Sequence, residues 1–266
     1  MSVLLEAKEV SKYFGGLKAV ESVDMSVEQG DVFGIIGPNG AGKTTFFNVC
    51  TGVYAPTSGH VLLKGEDISG RSPEEIAKKG MVRTFQNIQL FNFMTVLDNV
   101  KIGFHLSTKT NILDAMLHTK RYKEDEEYIV REGMAILEKV GLREYHDVLA
   151  GNLPYGIQRK VEIARALALN PDIILLDEPA AGMNPNETNS LREFILQLNK
   201  DGYTIMVIEH DMKFVMRACN KIMVLNFGRK VCEGEPSFVR GNKEVNEAYF
   251  GKGMMLEGGE DIAEGK

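Results

Sequence analysis

Cysteine is scarce in this sequence, and its pattern excludes the structural roles that cysteine most often has. The three cysteines, Cys50, Cys219 and Cys232, are an odd number and show no metal-ligand spacing. Cys50 and Cys219 lie on apolar stripes of helical period, which is typical of small core residues. A chain of 266 residues buries enough surface to fold without cross-links. We therefore expect buried, free thiols at both positions and a reducing compartment.

Positive charge is also in short supply. The chain carries 31 Lys and Arg residues against 37 Asp and Glu residues, which gives a formal net charge of −6. Proteins that bind nucleic acid generally need a strongly basic surface, because the phosphates that they contact must be neutralised. We therefore expect no nucleic-acid partner.

Long apolar runs are absent as well. No stretch of 18 consecutive apolar residues occurs, so no segment is predicted to cross a bilayer as a helix. The N-terminal segment "MSVLLEAKEV" has no basic region and a very short apolar run, so we do not expect it to be a signal peptide. Any role at a membrane would then need a partner protein.

The N-terminal part of the chain has the pattern of half-buried strands. Val23, Met25 and Val27 alternate with polar residues. The segments 4–10 and 59–68 have a similar composition. Together these stretches predict a largely antiparallel sheet.

Other apolar runs are continuous, as in strands that are buried on both faces. They are "DVFGIIG" (31–37), "DIILL" (172–176) and "YTIMVIEH" (203–210). Between the last two, residues 191–198 have helical spacing, and Gly202 ends that segment. This alternation of strands and helices predicts an α/β fold.

The middle of the chain is predicted to be an insertion of helices over residues 87–170. Thr95 marks one helix start, and the segment 126–142 carries an apolar stripe that stops at Gly141. The tail 251–266 is acidic and rich in glycine, so we predict that it is disordered.

A glycine-rich loop follows the first buried strand. "GPNGAGKTT" (37–45) matches the pattern G-x-x-x-x-G-K-[ST], in which backbone N–H groups and the start of a helix surround phosphate oxygens. Lys43 supplies a cation for the β- and γ-phosphates, and the Thr44 hydroxyl is a Mg²⁺ ligand. The predicted nucleotide contacts in the loop are Gly37, Pro38, Asn39, Gly40, Ala41, Gly42, Lys43, Thr44 and Thr45.

Two acids and a histidine follow the other buried strands. Asp177 is placed to hold Mg²⁺, directly or through water, and Glu178 to polarise an attacking water. His210 ends the strand at 203–210, and a role at the γ-phosphate competes with that of an ordinary turn histidine. Open α/β sheets bind ligands at the carboxyl ends of their strands, so we expect these groups to converge with the glycine-rich loop.

The order of these motifs resembles the ATP-binding subunit of ABC transporters. The phosphate loop is followed by Gln86 in "RTFQN", by "LPYGIQRK", by "LLDEP" and by "IEHD". The resemblance covers nearly the whole chain. It implies a P-loop, RecA-like core with a β-subdomain over residues 1–86 and 171–250, and a helical subdomain over 87–170. It also implies that two such subunits dimerise head to tail around two ATP molecules.

The resemblance assigns roles to further residues. Gln86 takes the position of the residue that senses Mg²⁺ or the attacking water, and with Thr44 and Asp177 it completes the predicted metal ligands. Lys43, Gln86, Glu178 and His210 become the predicted catalytic residues. Phe14 falls where the family stacks an aromatic ring on adenine, although plain packing of this ring remains an alternative.

The segment "NLPYGIQRK" departs from the family signature, Leu-Ser-Gly-Gly-Gln. Leu153 and Gly156 match it, whereas Pro154 replaces serine and Tyr155 replaces the first glycine. Proline offers neither a hydroxyl nor an N–H group. We expect this loop to serve a nucleotide bound by another ATPase subunit, and to do so with one phosphate donor fewer. Asn184 stands where aspartate is usual in the family and also has the pattern of a helix N-cap.

Within the family, "FGGLKAV", "AAGMNP" and "IEHDMKFVM" resemble the larger ATPase of branched-chain amino-acid importers. That resemblance implies a second, different ATPase subunit, two permease subunits and an external substrate-binding protein, with this chain on the cytoplasmic face of the membrane. Uptake of another amino acid, of urea or of an amide, and export of lipopolysaccharide are alternatives. A P-loop kinase fits less well, because it would lack the signature segment and the histidine. A soluble ABC regulator of translation or DNA repair also fits less well, because the chain has one phosphate loop and an acidic net charge.

Overall fold

The computed structural model describes residues 2–106, 110 and 112–250, so the predicted tail at 251–266 lies outside the described residues. The strands are β1 (Val3–Phe14), β2 (Leu17–Glu28), β3 (Val32–Ile36), β4 (Ser58–Leu63), β5 (Glu66–Asp67), β6 (Met81–Arg83), β7 (Ile173–Asp177), β8 (Thr204–Ile208), β9 (Lys221–Asn226) and β10 (Arg229–Gly234). The α-helices are α1 (Lys43–Cys50), α2 (Pro73–Lys78), α3 (Val96–Ile102), α4 (Ile112–Met116), α5 (Lys120–Lys139), α6 (Tyr155–Leu167), α7 (Pro185–Lys200), α8 (Met212–Ala218), α9 (Pro236–Gly241) and α10 (Lys243–Phe250).

The N-terminal strands form the antiparallel sheet that their alternating pattern predicts. Its order is β2-β1-β4-β5, and every pairing in it is antiparallel. Val23, Met25 and Val27 are all buried, so the apolar side of this sheet covers a core. The polar residues between them lie at or near the surface, as a sheet with one solvated face requires.

The continuous apolar runs build a second sheet that is buried on both faces. Its order is β10-β9-β3-β8-β7-β6, with parallel pairing except at the β10 edge. The side chains of β3 pack into two different cores. Phe33 and Ile35 pack toward the antiparallel sheet, and Ile36 packs toward the helices. Because both faces are covered, neither can be polar, and the alternating pattern disappears.

The order of this sheet brings the predicted functional segments together. Strands β3, β8, β7 and β6 are neighbours, and their carboxyl ends lead into the glycine-rich loop, His210, Glu178 and Gln86 respectively. All four segments therefore lie along one edge of the sheet.

The region predicted to be an insertion contains α3, α4, α5 and α6. Thr95 caps α3 by accepting a hydrogen bond from Asp98 N, as predicted. Helix α5 begins at Lys120, six positions before the periodic segment, because Thr119 caps it through Tyr122 N. It ends just before Gly141, whose φ of 69° is left-handed. In the described part of the chain, no helix has the length and apolarity needed to cross a membrane. The division into subdomains stays a prediction.

Cys50 and Cys219 are buried core residues, as predicted. Burial raises the pKa of the Cys50 thiol to about 12, so this group stays protonated at neutral pH. Cys219 follows α8 and packs against the sheet at Gly34. A Cβ atom added to Gly34 would lie 2.6 Å from Val215 Cγ1 and 3.0 Å from Cys219 Sγ. The absence of a side chain at Gly34 therefore lets α8 approach β3 closely.

We expect Gly34→Ala to lower the free energy of unfolding by about 1–3 kcal/mol, because the added methyl group overpacks this contact. Gly16→Ala is the matched control, since no atom lies within 4 Å of a Cβ added there. Urea unfolding followed by circular dichroism measures both variants. Equal midpoints for the two would contradict close packing at Gly34.

Candidate functional site

The glycine-rich loop has a shape that side chains would disrupt. A Cβ atom on Gly37 would lie 2.2 Å from Leu225 O, and one on Gly42 would lie 2.4 Å from Ala19 O. Gly42 has a φ of 95° and Gly40 a φ of 79°, both in the left-handed region. Gly40 faces open space, with no atom within 4 Å of an added Cβ. The loop is therefore packed tightly from behind and open in front.

Lys43 begins α1 and turns its ammonium group into the loop. Its Nζ donates hydrogen bonds to Gly37 O at 2.7 Å and to Pro38 O at 3.1 Å. Burial lowers the pKa of this ammonium, and the charge of Glu178 opposes that shift. A buried cation at the N-terminus of a helix attracts anions strongly, because the helix dipole has the same sign there.

The cavity in front of the loop has a volume of about 390 Å³, which lies in the range of ligand pockets. Backbone and side chains of the loop form one wall. Glu178 lines the same cavity as Lys43 and Thr44, the first residues of α1. The lining residues are Leu17, Lys18, Ala19, Asn39, Gly40, Ala41, Gly42, Lys43, Thr44, Thr45, Glu178, Phe227 and Gly228.

Asp177 is buried at the end of β7 and forms an ion pair that the sequence analysis missed. Arg83 Nη2 donates to Asp177 Oδ2 at 2.6 Å, and Arg83 Nη1 donates to Asn48 Oδ1 at 2.6 Å. The guanidinium also lies 4.7 Å from the centre of the Phe47 ring. Arg83 thus ties helix α1 to β7. The sequence signal for this ion pair is a charged residue, Arg83, at the end of an apolar strand.

Glu178 adopts a strained backbone and meets two of the predicted catalytic side chains. Its φ of 43° is left-handed, a conformation that costs a non-glycine residue about 1–2 kcal/mol. Its N–H donates to Ile208 O at 2.9 Å, which holds the strained position. Gln86 Nε2 donates to Glu178 Oε2 at 2.8 Å, and His210 Nδ1 lies 3.9 Å from the same oxygen. The structure therefore brings Gln86, Glu178 and His210 together.

Glu209, which the sequence analysis passed over, is a second buried acid beside this group. Its Oε1 accepts a hydrogen bond from Ala180 N at 2.8 Å, and its Oε2 lies 3.8 Å from His210 Nδ1. Burial raises its pKa, because water cannot stabilise the charged form there. The Glu209 carboxylate thus lies between the Ala180 backbone, just after Glu178, and the His210 side chain. Its place at a strand end next to a predicted catalytic residue was the clue in the sequence.

The signature residues lie outside the phosphate-loop cavity. Leu153 is buried, and Pro154 is the N-cap of α6 with no side-chain cap hydrogen bond. Tyr155 is 39% exposed. Pro154 and Gly156 line a separate cavity of about 230 Å³ between α6 and α7. The start of α7 explains Asn184, which forms a capping box with Glu187.

The structure does not bring Phe14 into the cavity at the glycine-rich loop. Phe14 is 43% exposed and packs edge-on against Tyr54, with ring centres 5.4 Å apart. Leu17 lies on the cavity wall instead. Stacking of Phe14 on adenine stays a prediction.

The residues at this edge fit a nucleotide and its metal. The open front of the loop at Gly40 leaves space for phosphate groups, and Lys43 supplies the cation. Thr44, Gln86 and Asp177 offer the hard oxygen ligands that Mg²⁺ prefers. The described residues contain no cluster of three or more His, Cys, Asp or Glu residues that could hold a metal. Mg²⁺ is usually bound by one or two carboxylates together with substrate phosphates, so Asp177 could serve as its carboxylate ligand.

Comparison with known proteins agrees with this geometry. The profile of the ABC transporter family matches residues 20–181. BraF of Pseudomonas aeruginosa, a high-affinity branched-chain amino acid transport ATP-binding protein, is 44% identical over 94% of this chain and 98% of BraF. LivG of Escherichia coli K12, which has the same description, is 42% identical with the same coverage. The ADP conformation of MJ1267, an ATP-binding cassette of an ABC transporter, has a TM-score of 0.81 at 34% identity, covering 95% of this chain and 100% of that one.

A glycine-rich loop, a buried lysine and an acid at neighbouring strand ends define a P-loop ATPase. The chain belongs to the ABC transporter family, whose ATP-binding subunits couple ATP hydrolysis to transport. The predicted fold class and the resemblance to the ATPases of branched-chain amino-acid importers are confirmed.

We expect Arg83→Gln to lower the free energy of unfolding by up to about 3–5 kcal/mol, because it leaves the buried Asp177 carboxylate without its partner. Arg71→Gln serves as the control. It breaks an ion pair with Glu66 in which both side chains are exposed, so its effect should be small. Chemical unfolding of both variants tests this difference. Equal, small changes would mean that Asp177 does not depend on Arg83.

Proposed function

We propose that this chain is the ATP-hydrolysing subunit of an importer for branched-chain, hydrophobic amino acids, and that ATP-dependent dimerisation drives transport. The observation that carries the proposal is the meeting of Lys43, Glu178, Gln86 and His210 at one sheet edge. Their chemistry suits transfer of a phosphoryl group to water. The names of BraF and LivG support the choice of solute.

The site residues divide the work of hydrolysis. The glycine-rich loop and Lys43 bind the β- and γ-phosphates of ATP, and their positive field stabilises charge that builds up in the transition state. Glu178 orients a water molecule and accepts its proton while the water oxygen attacks the γ-phosphorus and the bond to ADP breaks. His210 stabilises the charge of the γ-phosphate. Thr44, Gln86 and Asp177 would hold Mg²⁺, which when bound would neutralise phosphate charge.

The hydrogen bonds of Asp177 and Gln86 determine which of their atoms would be available to a metal. Arg83 donates to Asp177 Oδ2, so Oδ1 would be the oxygen available to Mg²⁺ or to a water bound to it. Gln86 directs its amide nitrogen to Glu178, which leaves its amide oxygen for the metal. Within the part of the chain that the structure describes, each of these two groups thus keeps one oxygen outside these hydrogen bonds, which suits a metal shared with phosphates and water.

The partners proposed are a second, different ATPase, two permease subunits and an external binding protein, at the cytoplasmic face of the membrane. Two features of the surface support them. The signature residues lie apart from the chain's own phosphate loop, so they can serve a nucleotide on another subunit. Phe85, Phe91 and Phe93, in the segment that follows β6 and contains Gln86, are 52%, 53% and 95% exposed and offer apolar side chains to which a permease can bind.

Replacement of the acid tests the proposed reaction. We expect Glu178→Gln to keep ATP affinity but to reduce turnover by about 10²-fold or more, since the proton acceptor is lost. This variant should also form a stable, ATP-bound dimer with the second ATPase. Lys43→Ala is the control that should lose tight ATP binding. ATP affinity by calorimetry and phosphate release from the assembled transporter are measured, and normal turnover of Glu178→Gln would remove Glu178 from the mechanism.

The missing donor at Pro154 makes the two nucleotide sites of the complex unequal. We expect Pro154→Ser to raise ATP turnover of the assembled transporter several-fold, because it adds a hydroxyl at the α6 N-terminus. Removal of one such donor costs on the order of 2.7–4 kcal/mol in an oxyanion hole, which sets the upper limit. Pro236→Ser changes another proline at a helix start and should leave turnover unchanged. Unchanged or lower turnover for Pro154→Ser would contradict an unequal pair of sites.

A further inference from the structure

A buried ion pair on α6 holds the loop that carries Gln86. The Arg159 and Glu162 side chains are 0% and 2% exposed, and Arg159 Nη1 donates to Glu162 Oε2 at 2.7 Å. Residues 84–89, which follow β6 and contain Gln86, form the Gln86 loop. Neither charged side chain contacts the phosphate-loop cavity. Burial of two charges is costly, so the pair needs a structural reason.

That reason lies in the bonds which Arg159 makes to the Gln86 loop. Its Nη1 donates to Phe85 O and its Nη2 donates to Gln86 O, both at 2.7 Å. The two nitrogens of one planar guanidinium thus bind two successive carbonyl groups. Lysine could not reproduce this contact, because its ammonium group is a single point of charge.

Glu162 binds the backbone N–H groups of the same loop. Its Oε1 lies 3.5 Å from both Phe85 N and Gln89 N, in positions to accept from them. Burial raises the pKa of Glu162, while the Arg159 charge lowers it and so favours the ionised acid. The pair therefore fixes both ends of the turn from which Gln86 reaches Glu178.

Tyr155 connects this network to the signature. Arg159 Nη2, which binds Gln86 O, also donates to the Tyr155 hydroxyl at 3.4 Å. Tyr155 replaces the first glycine of the family signature and is 39% exposed at the start of α6. A glycine there could not make this contact. The tyrosine thus joins the signature loop to the loop that serves the chain's own site.

We propose that Arg159 and Tyr155 are positioning residues, which hold the Gln86 loop so that Gln86 reaches Glu178 and which link that contact to the signature loop. The inference rests on the proposed function for its effect on hydrolysis, but the positioning itself concerns the folded chain alone. Tyr155, Arg159, Gln86 O and Gln86 Nε2 form a continuous path from the α6 N-terminus to Glu178 Oε2. A change in the contacts of Tyr155 therefore alters the hydrogen bond between Gln86 and Glu178.

Amide hydrogen exchange of the full-length chain tests the positioning directly. Arg159→Lys and Arg159→Met should speed exchange at Phe85 and Gln89 by about tenfold or more, because the loop loses charged hydrogen bonds at the Phe85 and Gln86 carbonyls and therefore opens more often. Lys160→Met removes a charge from the next position of α6, where the side chain contacts Ser190 instead, and should not change exchange at those amides. If Arg159→Met fails to fold, Arg159→Lys keeps the charge beside Glu162 and still breaks the paired contact. Unchanged exchange in a folded Arg159→Lys would overturn the proposal.

Tyr155→Phe tests the link to the signature. Removal of the hydroxyl should speed exchange in the Gln86 loop in the otherwise unchanged chain, and should have no effect in the Arg159→Met background if it acts through Arg159. An equal effect in both backgrounds would remove Tyr155 from the proposal.

Kinetics of the assembled transporter separate this inference from the proposed function. Arg159→Lys should lower kcat about tenfold and leave the KM for ATP within twofold, because the phosphate loop is untouched. If the unaltered chain does not bind ATP with Mg²⁺, the proposed function fails while the exchange result stands. If it binds and hydrolyses ATP but Arg159→Lys has normal kcat, the positioning role in hydrolysis is wrong.

Discussion

Parallel pairing of β3, β8, β7 and β6 is the constraint on which the whole site depends. A phosphate group needs several donors within a few ångströms, and one short segment cannot supply both these donors and the acid that activates water. Four neighbouring strands that all run in one direction end at the same edge. The hydrogen bond from Glu178 N to Ile208 O then ties one of these ends to the next and keeps Glu178 in its strained conformation. Sheet topology thus brings together predicted catalytic groups that lie far apart in the sequence.

Burial of charged side chains is a second feature that fixes the geometry of the site. Asp177, Arg159 and Glu162 are all nearly inaccessible to water, and each is part of an ion pair with further hydrogen bonds. Such pairs add little net stability, since desolvation offsets most of the attraction. They do restrict geometry, because a buried charge tolerates few alternative positions. In this chain the restriction falls on Asp177 and on the Gln86 loop, which carry two of the three predicted metal ligands.

Features that depend on residues close together in the sequence could be predicted. The glycine-rich loop, the caps at Thr95 and Asn184, and the alternation around Met25 each follow from short-range spacing, and the structure has them as predicted. Arg83 and Arg159 were missed for a physical reason. Arg83 meets its carboxylate across 94 positions of the chain, and Arg159 meets the Phe85 carbonyl across 74. A charged residue in an apolar segment predicts burial with a partner, but the sheet topology alone decides which partner.

The signature segment combines a loss and a gain that composition alone would not reveal. Pro154 gives up the serine hydroxyl, yet α6 still begins there, with Ile157 N bonded to Pro154 O and the Gln158 side chain bonded to Leu153 O. A helix cannot satisfy its own first N–H groups, so the N-terminus keeps its attraction for an anion. The bulk of Tyr155 costs the loop the flexibility of glycine but brings it into contact with Arg159. The segment thus loses one candidate phosphate donor at Pro154 and gains a hydrogen bond from Arg159 at Tyr155, so the same two substitutions change both the α6 N-terminus and its connection to the Gln86 loop.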